Sequence, residues 1–140
     1  MTREHHFSSV TSELAGMRNA VGEFLDECGF EECAAALLVL ALDEACTNVI
    51  RYAYEHQEGP MRLKMERLSD RIRFTLRDYG KTCNPECIRS RDLADIRPGG
   101  VGVHIIQQAF DVVRYEPRPR GTKLTLEKKL DTCTEASSAE

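Results

Sequence analysis

Ala34-Ala35-Ala36-Leu37-Leu38-Val39-Leu40-Ala41-Leu42-Asp43-Glu44-Ala45-Cys46-Thr47-Asn48-Val49-Ile50-Arg51-Tyr52-Ala53-Tyr54 is the stretch on which the fold turns. Its first nine residues are all apolar, which predicts an interior helix covered by a sheet on one side and another helix on the other. On a helix Glu44 and Asn48 lie about 40° apart on one face, with Arg51 about 20° to the other side of Glu44. Leu37 and Leu40 project from the same face a few residues earlier. The expectation is a helix packed on nearly all sides whose last turns open onto a polar cavity, where a carboxylate and an amide can do chemistry.

Upstream, residues 5–10 can form a short edge strand. From Ser12, a candidate N-cap, Leu14, Met17, Val21, Phe24, Leu25 and Cys28 recur at helical spacing, and Gly29 supplies the stop. The second helix is expected from Glu31 to Tyr54. Downstream, two strands are predicted over 61–68 and 71–78, with Ser69-Asp70 as a tight turn. Ile72, Phe74 and Leu76 alternate with Arg71, Arg73, Thr75 and Arg77, and Asp78 falls on the apolar parity. A carboxylate at the inward end of a strand needs a hydrogen-bond donor. A backbone amide or a serine would serve, and so would the exocyclic amine of a bound base.

After Asp78-Tyr79-Gly80 comes an irregular connection with at most a short helix over 85–95, the kind of segment that forms lids. Its charges at 89–97 suit a solvated face. Gly99, Gly100 and Gly102 then precede the apolar pattern Val103, Ile105, Ile106, Ala109 and Phe110. A glycine-rich turn opening a helix offers unpaired amides and a positive dipole end to an anion, although glycines also serve there as plain turn residues. His104 at the start of this helix suits a packing or lid role. The last strands are expected over 112–117 and 122–130, with Thr122 on the inward parity of Leu124 and Leu126. Glu44, Asn48, Asp78, the glycine turn and Thr122 can therefore converge over one sheet face.

Length and composition set limits on function. A chain of 140 residues allows one domain with a real core, expected over 1–130, and a polar tail, 131–140, expected to be disordered. The net charge of −4 gives no field that would attract nucleic acid or an acidic membrane. The N-terminus lacks the apolar run of a signal peptide and no stretch approaches the ~20 residues of a bilayer span, so a cytoplasmic protein is expected. The six cysteines then read as thiols, with Cys83/Cys87 and Cys28/Cys33 as a weaker zinc-pair alternative.

In order along the chain stand Glu44-Ala45-Cys46-Thr47-Asn48 on a helix, Asp78-Tyr79-Gly80 ending a strand, Gly99-Gly100-Val101-Gly102 opening a helix, and Gly121-Thr122 opening the last strand. This order resembles the Bergerat-type, histidine-kinase-like ATP-binding domain of the GHKL superfamily, and within it the small anti-sigma-factor serine/threonine kinases. The resemblance covers roughly residues 8–130. It implies an α/β two-layer sandwich, a mixed, mostly antiparallel sheet with helices packed on one face. It implies ATP and Mg2+ as cofactors, with Asn48 on the metal, Asp78 receiving the adenine amine and Gly80 admitting the ring. Gly100 and Gly102 would bind phosphates and Thr122 would support adenine from below. Arg51, Thr82, Gly99, Val101 and Val103 complete the implied cofactor-binding set. Glu44 matches the general base that takes the proton of a protein serine or threonine hydroxyl.

The implied partners are a STAS-type anti-anti-sigma factor and a sigma factor, with no direct nucleic-acid or membrane contact, and the implied assembly is a homodimer. The sequence departs from the family at Thr82, where a second glycine is usual, and at Tyr52, where histidine is common. A non-catalytic ATP-binding module that sequesters a protein is the competing class. Histidine kinases would need a phosphoacceptor hairpin, yet only one helix precedes the glutamate-bearing one. The topoisomerase, mismatch-repair and chaperone relatives would need transducer domains for which 140 residues leave no room.

Overall fold

Alternation of apolar and charged residues builds one sheet with a dry face and a wet face. The computed structural model describes residues 1–81 and 98–130, with 98–103 described as backbone only. The elements in chain order are β1 (Thr2–Ser8), a 3-10 turn (Thr11–Glu13), α1 (Leu14–Glu27), α2 (Glu32–Asn48) continued by a π-helical turn (Val49–Ala53), β2 (Pro60–Arg67), β3 (Arg71–Asp78), α3 (Pro98–Ala109), β4 (Val112–Pro117) and β5 (Thr122–Lys129). The strands form a five-stranded sheet in the order β1-β2-β3-β5-β4. Every pairing is antiparallel, the far end of the mostly antiparallel sheet that was expected.

The register puts all the inward residues on one face. Met61 pairs with Asp78, Leu63 with Leu76 and Met65 with Phe74, and Leu76 and Phe74 pair in turn with Leu124 and Leu126. All of these are buried, Asp78 included. The helices cover this face, and Phe74 lies edge-on between Phe24 of α1 at 5.7 Å and Phe110 after α3 at 5.9 Å. Such pairs each add about 0.5–1.5 kcal/mol beyond the area they bury. The opposite face carries Lys64, Glu66, Arg73, Arg114 and Lys123. On it Glu127 is buried beneath Arg73 at 2.7 Å and Arg71 at 3.0 Å.

The helical spacing of α1 is that of an amphipathic helix, and Leu14, Met17, Val21, Phe24 and Leu25 are its buried residues. Gly29 ends the segment at φ +87°, a left-handed conformation that disfavours any side chain. Three expectations are corrected. Ser12 is not an N-cap, because residues 11–13 form the 3-10 turn and α1 starts at Leu14 without a side-chain cap bond. The first strand is Thr2–Ser8, not 5–10, since β2 is long enough to pair with it as far as Glu66.

The third correction concerns α2. Its buried face is Leu38, Ala41, Leu42, Ala45 and Cys46, but Leu37 is 46 % and Leu40 44 % exposed. A two-layer fold covers a helix from the sheet below and from α1 and α3 at its sides; among the described residues nothing lies above it. The nine-residue apolar run therefore exceeds what the core needs. Contrary to the expectation that no stretch reaches a bilayer span, Glu32–Ala53, 22 residues whose most apolar 18-residue window has a mean hydropathy of 1.7, is by length and composition sufficient to cross a membrane, because the helix continues past Asp43 and Glu44. In this fold it serves as the central core helix. The expected short helix over 85–95, the pair Cys83 and Cys87, Thr82 and the tail from 131 lie outside the described residues.

Candidate functional site

The end of α2, the end of β3 and the start of β5 meet in backbone contact. Asp78, only 2 % exposed, accepts a hydrogen bond from the Gly80 N–H at 3.1 Å on Oδ1. Burial pushes its carboxyl pKa up, and the Gly80 amide, the Arg77 charge and the Thr122 amide only partly offset this. A carboxylate desolvated at a strand end, with one oxygen held by the local backbone, is suited to receiving a ligand donor.

Two glycines keep this corner open to close backbone approach. A Cβ at Gly121, where φ is +78°, would lie 2.1 Å from the Asp78 carbonyl oxygen and 2.8 Å from Oδ1. A Cβ at Gly80 would lie 2.5 Å from the Ala53 carbonyl oxygen, which accepts the Lys81 N–H at 2.7 Å. Thr122 follows Gly121 and is buried on the inward parity. Arg77 spans the outer side, its guanidinium 4.3 Å over the Tyr79 ring and hydrogen-bonded to the carbonyls of Asp78 and, at 2.9 Å, of Arg120.

One turn apart on α2 stand Glu44 and Asn48. Glu44 is part-exposed, and its carboxyl pKa is raised first by burial and then by the neighbouring Asp43 charge, against the pull of Arg51. Asp43 itself is engaged by Arg18 of α1 at 2.8 Å. The Asn48 Oδ1 is buried and has no hydrogen-bond partner among the described residues. An orphaned amide oxygen costs about 1–3 kcal/mol, and a hard neutral oxygen of this kind suits Mg2+; on this observation the site fits the metal. Arg51 lies 5.9 Å from the Tyr52 ring centroid.

The glycine segment is corrected in position. Gly99, Gly100, Val101 and Gly102 do not precede the helix but lie inside α3, which starts at Pro98, together with Val103, which was expected there. Proline is pre-organised for the first helical position and loses no amide bond there, so the helix starts earlier than the apolar pattern. The unpaired amides are then those of the first turn itself, which carries Gly99 and Gly100. α3 packs along α2.

Sequence reasoning missed Tyr54. Its hydroxyl donates to the Pro60 carbonyl at 2.5 Å and accepts the Tyr79 N–H at 2.9 Å, while its ring occupies the space a Cβ of Gly59 would need. No local sequence pattern marks it; in the structure the left-handed pair Glu55 and His56 reverses the chain just after it.

Comparison with known proteins bears on the fold and the family. The model of the histidine kinase-like ATPase domain matches residues 7–128. The serine-protein kinase RsbW of Halalkalibacterium halodurans is 27 % identical over 129 residues, covering 86 % of this chain and 74 % of the relative. RsbW of Bacillus subtilis is 26 % identical over 113 residues, covering 74 % and 66 %. Among solved structures, the RsbU and RsbW domains of Rv1364c from Mycobacterium tuberculosis align with TM-score 0.65 at 19 % identity, over 91 % of this chain and 32 % of that one. The SiaB–SiaC complex of Pseudomonas aeruginosa aligns with TM-score 0.58 at 13 % identity, over 90 % and 89 %. The chain belongs to the family of histidine kinase-like ATPase domains.

Proposed function

We propose that this chain, as a single domain over residues 1–130, is an ATP-dependent serine/threonine protein kinase acting as an anti-sigma factor. It phosphorylates a STAS-type anti-anti-sigma factor and sequesters a sigma factor, as a cytoplasmic homodimer without direct contact to nucleic acid or membrane. The observation that carries the reading is the pairing of a buried, desolvated carboxylate at Asp78 with the orphaned amide oxygen of Asn48. These would hold the two ends of a nucleotide. The relatives named serine-protein kinase support the reaction class.

In this reading ATP lies with adenine at Asp78, which accepts the exocyclic amine, and the glycines at 80 and 121 leave room for the ring. The triphosphate runs toward the first turn of α3, whose amides and dipole end favour anions. Asn48 would hold Mg2+, whose charge when bound neutralises the phosphate oxygens. Glu44, one turn earlier, accepts the proton of the attacking hydroxyl. The hydroxyl oxygen bonds to the terminal phosphorus, the bond from phosphorus to the bridging oxygen breaks, and ADP leaves. The raised pKa of Glu44 brings the base closer to neutral pH, where proton transfer is most effective. Leu37 and Leu40 give an exposed apolar stripe leading to Glu44, a surface that suits a folded protein acceptor better than a small molecule.

The competing reading is a nucleotide-binding module that sequesters its partner without transfer; the carboxylate at Glu44 favours the kinase, since nucleotide binding needs no base. Incubating the protein with Mg-ATP and candidate STAS proteins, then mapping phosphate by mass spectrometry, decides between them. A single modified serine or threonine supports the kinase; binding without modification of any STAS protein from the same cell supports the module.

A further inference from the structure

We infer that Tyr54 is a positioning residue for adenine recognition, its phenol holding the backbone that presents Asp78. The inference rests on the ATP reading above.

The three amides that follow Asp78 each have a definite acceptor. The Tyr79 N–H goes to the Tyr54 hydroxyl at 2.9 Å, the Gly80 N–H to the Asp78 carboxylate at 3.1 Å, and the Lys81 N–H to the Ala53 carbonyl at 2.7 Å. Two of the three acceptors, Ala53 and Tyr54, sit side by side at the end of the π-helical turn that continues α2. The backbone carrying Asp78 is thus stapled to the same helix that carries Glu44 and Asn48, and the staple sets the distance between the two ends of the site.

The π-helical turn presents these acceptors. In it the Tyr54 N–H bonds to Val49 O at 2.9 Å, five residues back, a widened turn that recurs at functional sites. The Tyr54 ring is pressed against two glycines. A Cβ at Gly59 would lie 2.3 Å from its Cε1, and one at Gly80 3.1 Å from its Cδ1. Its hydroxyl completes the clamp by donating to the Pro60 carbonyl at the start of β2. Ring packing alone would be served by phenylalanine; the hydroxyl is needed because it joins Pro60 to Tyr79, the residue next to Asp78.

Calorimetric titration of wild type, Tyr54→Phe and Asp78→Asn with Mg-ADP and with the diphosphate of purine riboside, which lacks the amine, tests this. Tyr54→Phe is expected to weaken ADP about tenfold, the scale of one hydrogen bond's loss, and to leave the amine-free nucleotide within about twofold. Equal weakening of both nucleotides would mean a purely structural role and overturn the proposal. Unchanged ADP affinity in Tyr54→Phe, with affinity lost in Asp78→Asn, would overturn the proposal and leave the ATP reading standing. Failure of wild type to bind ADP would overturn both. Hydrogen exchange on the free wild-type protein gives a test that no folding defect can obscure: the Tyr79 amide is expected to be protected, and exchange at the rate of an exposed amide would sink the proposal.

Discussion

Replacing Asp78 with asparagine should leave the free protein intact and remove most of the stabilisation that nucleotide confers. The shape is conserved, and the amide oxygen can still accept the Gly80 N–H. What changes is the charge. A hydrogen bond from the adenine amine to a carboxylate is worth about 1.5–3 kcal/mol, or about 10- to 150-fold in affinity. At ~100 times the wild-type Kd, Mg-ADP stabilises by about 2.7 kcal/mol. For a chain of this size that is about 8 °C in Tm. With affinity reduced by those factors, the same nucleotide concentration should raise the Tm of Asp78→Asn by only about 1–4 °C. The Tm of the free variant should equal or exceed that of wild type, because burial has raised the Asp78 pKa and the ionised group is less well tolerated in the fold than in the unfolded chain. Differential scanning fluorimetry with and without Mg-ADP measures both quantities. An unchanged nucleotide shift, or a free variant destabilised by many degrees, would refute the assignment of Asp78 as a ligand-facing carboxylate.

The same raised pKa fixes two opposite pH dependences. Asp78 contributes stability to the free protein below its folded pKa and loses it as pH rises through that value, whereas ADP binding needs the ionised form. ADP affinity should therefore fall as pH drops, starting above the ordinary aspartate range of about 4, and calorimetry across this window checks the sign. Gly121→Ala should cost more than about 2 kcal/mol, since a left-handed backbone disfavours a side chain and the new Cβ would sit 2.1 Å from the Asp78 carbonyl oxygen; urea denaturation measures it. The double variant Leu37→Asp/Leu40→Asp should leave ADP affinity within about twofold, because both side chains are exposed, and should reduce phosphate transfer to the protein acceptor at least about tenfold. Titration and a transfer assay on the same sample separate the two.

Strand parity made much of the site legible before any coordinates. Period-two alternation in β3 put Asp78 with Ile72, Phe74 and Leu76, and all four are buried. Helical spacing put Glu44 and Asn48 on one face. Helical spacing cannot say which apolar side is covered, so Leu37 and Leu40, which the layer architecture leaves exposed, were expected inside. Glycines carry a turn signal that points to a later start for α3, while Pro98 extends the helix through them. Tyr54 was hidden for a different reason. Its role lies in two backbone partners, Pro60 and Tyr79, brought to it by sheet register and not by any local pattern.

The proposed kinase reaction depends on Glu44 as the base for phosphate transfer from ATP to a protein hydroxyl. Single-turnover transfer from Mg-ATP to a STAS acceptor, compared between wild type and Glu44→Gln, tests it most directly. With Glu44 as the base, the rate should be lower by about 10²–10⁴ in the variant, with ADP affinity unchanged. Transfer at the wild-type rate in Glu44→Gln would contradict it.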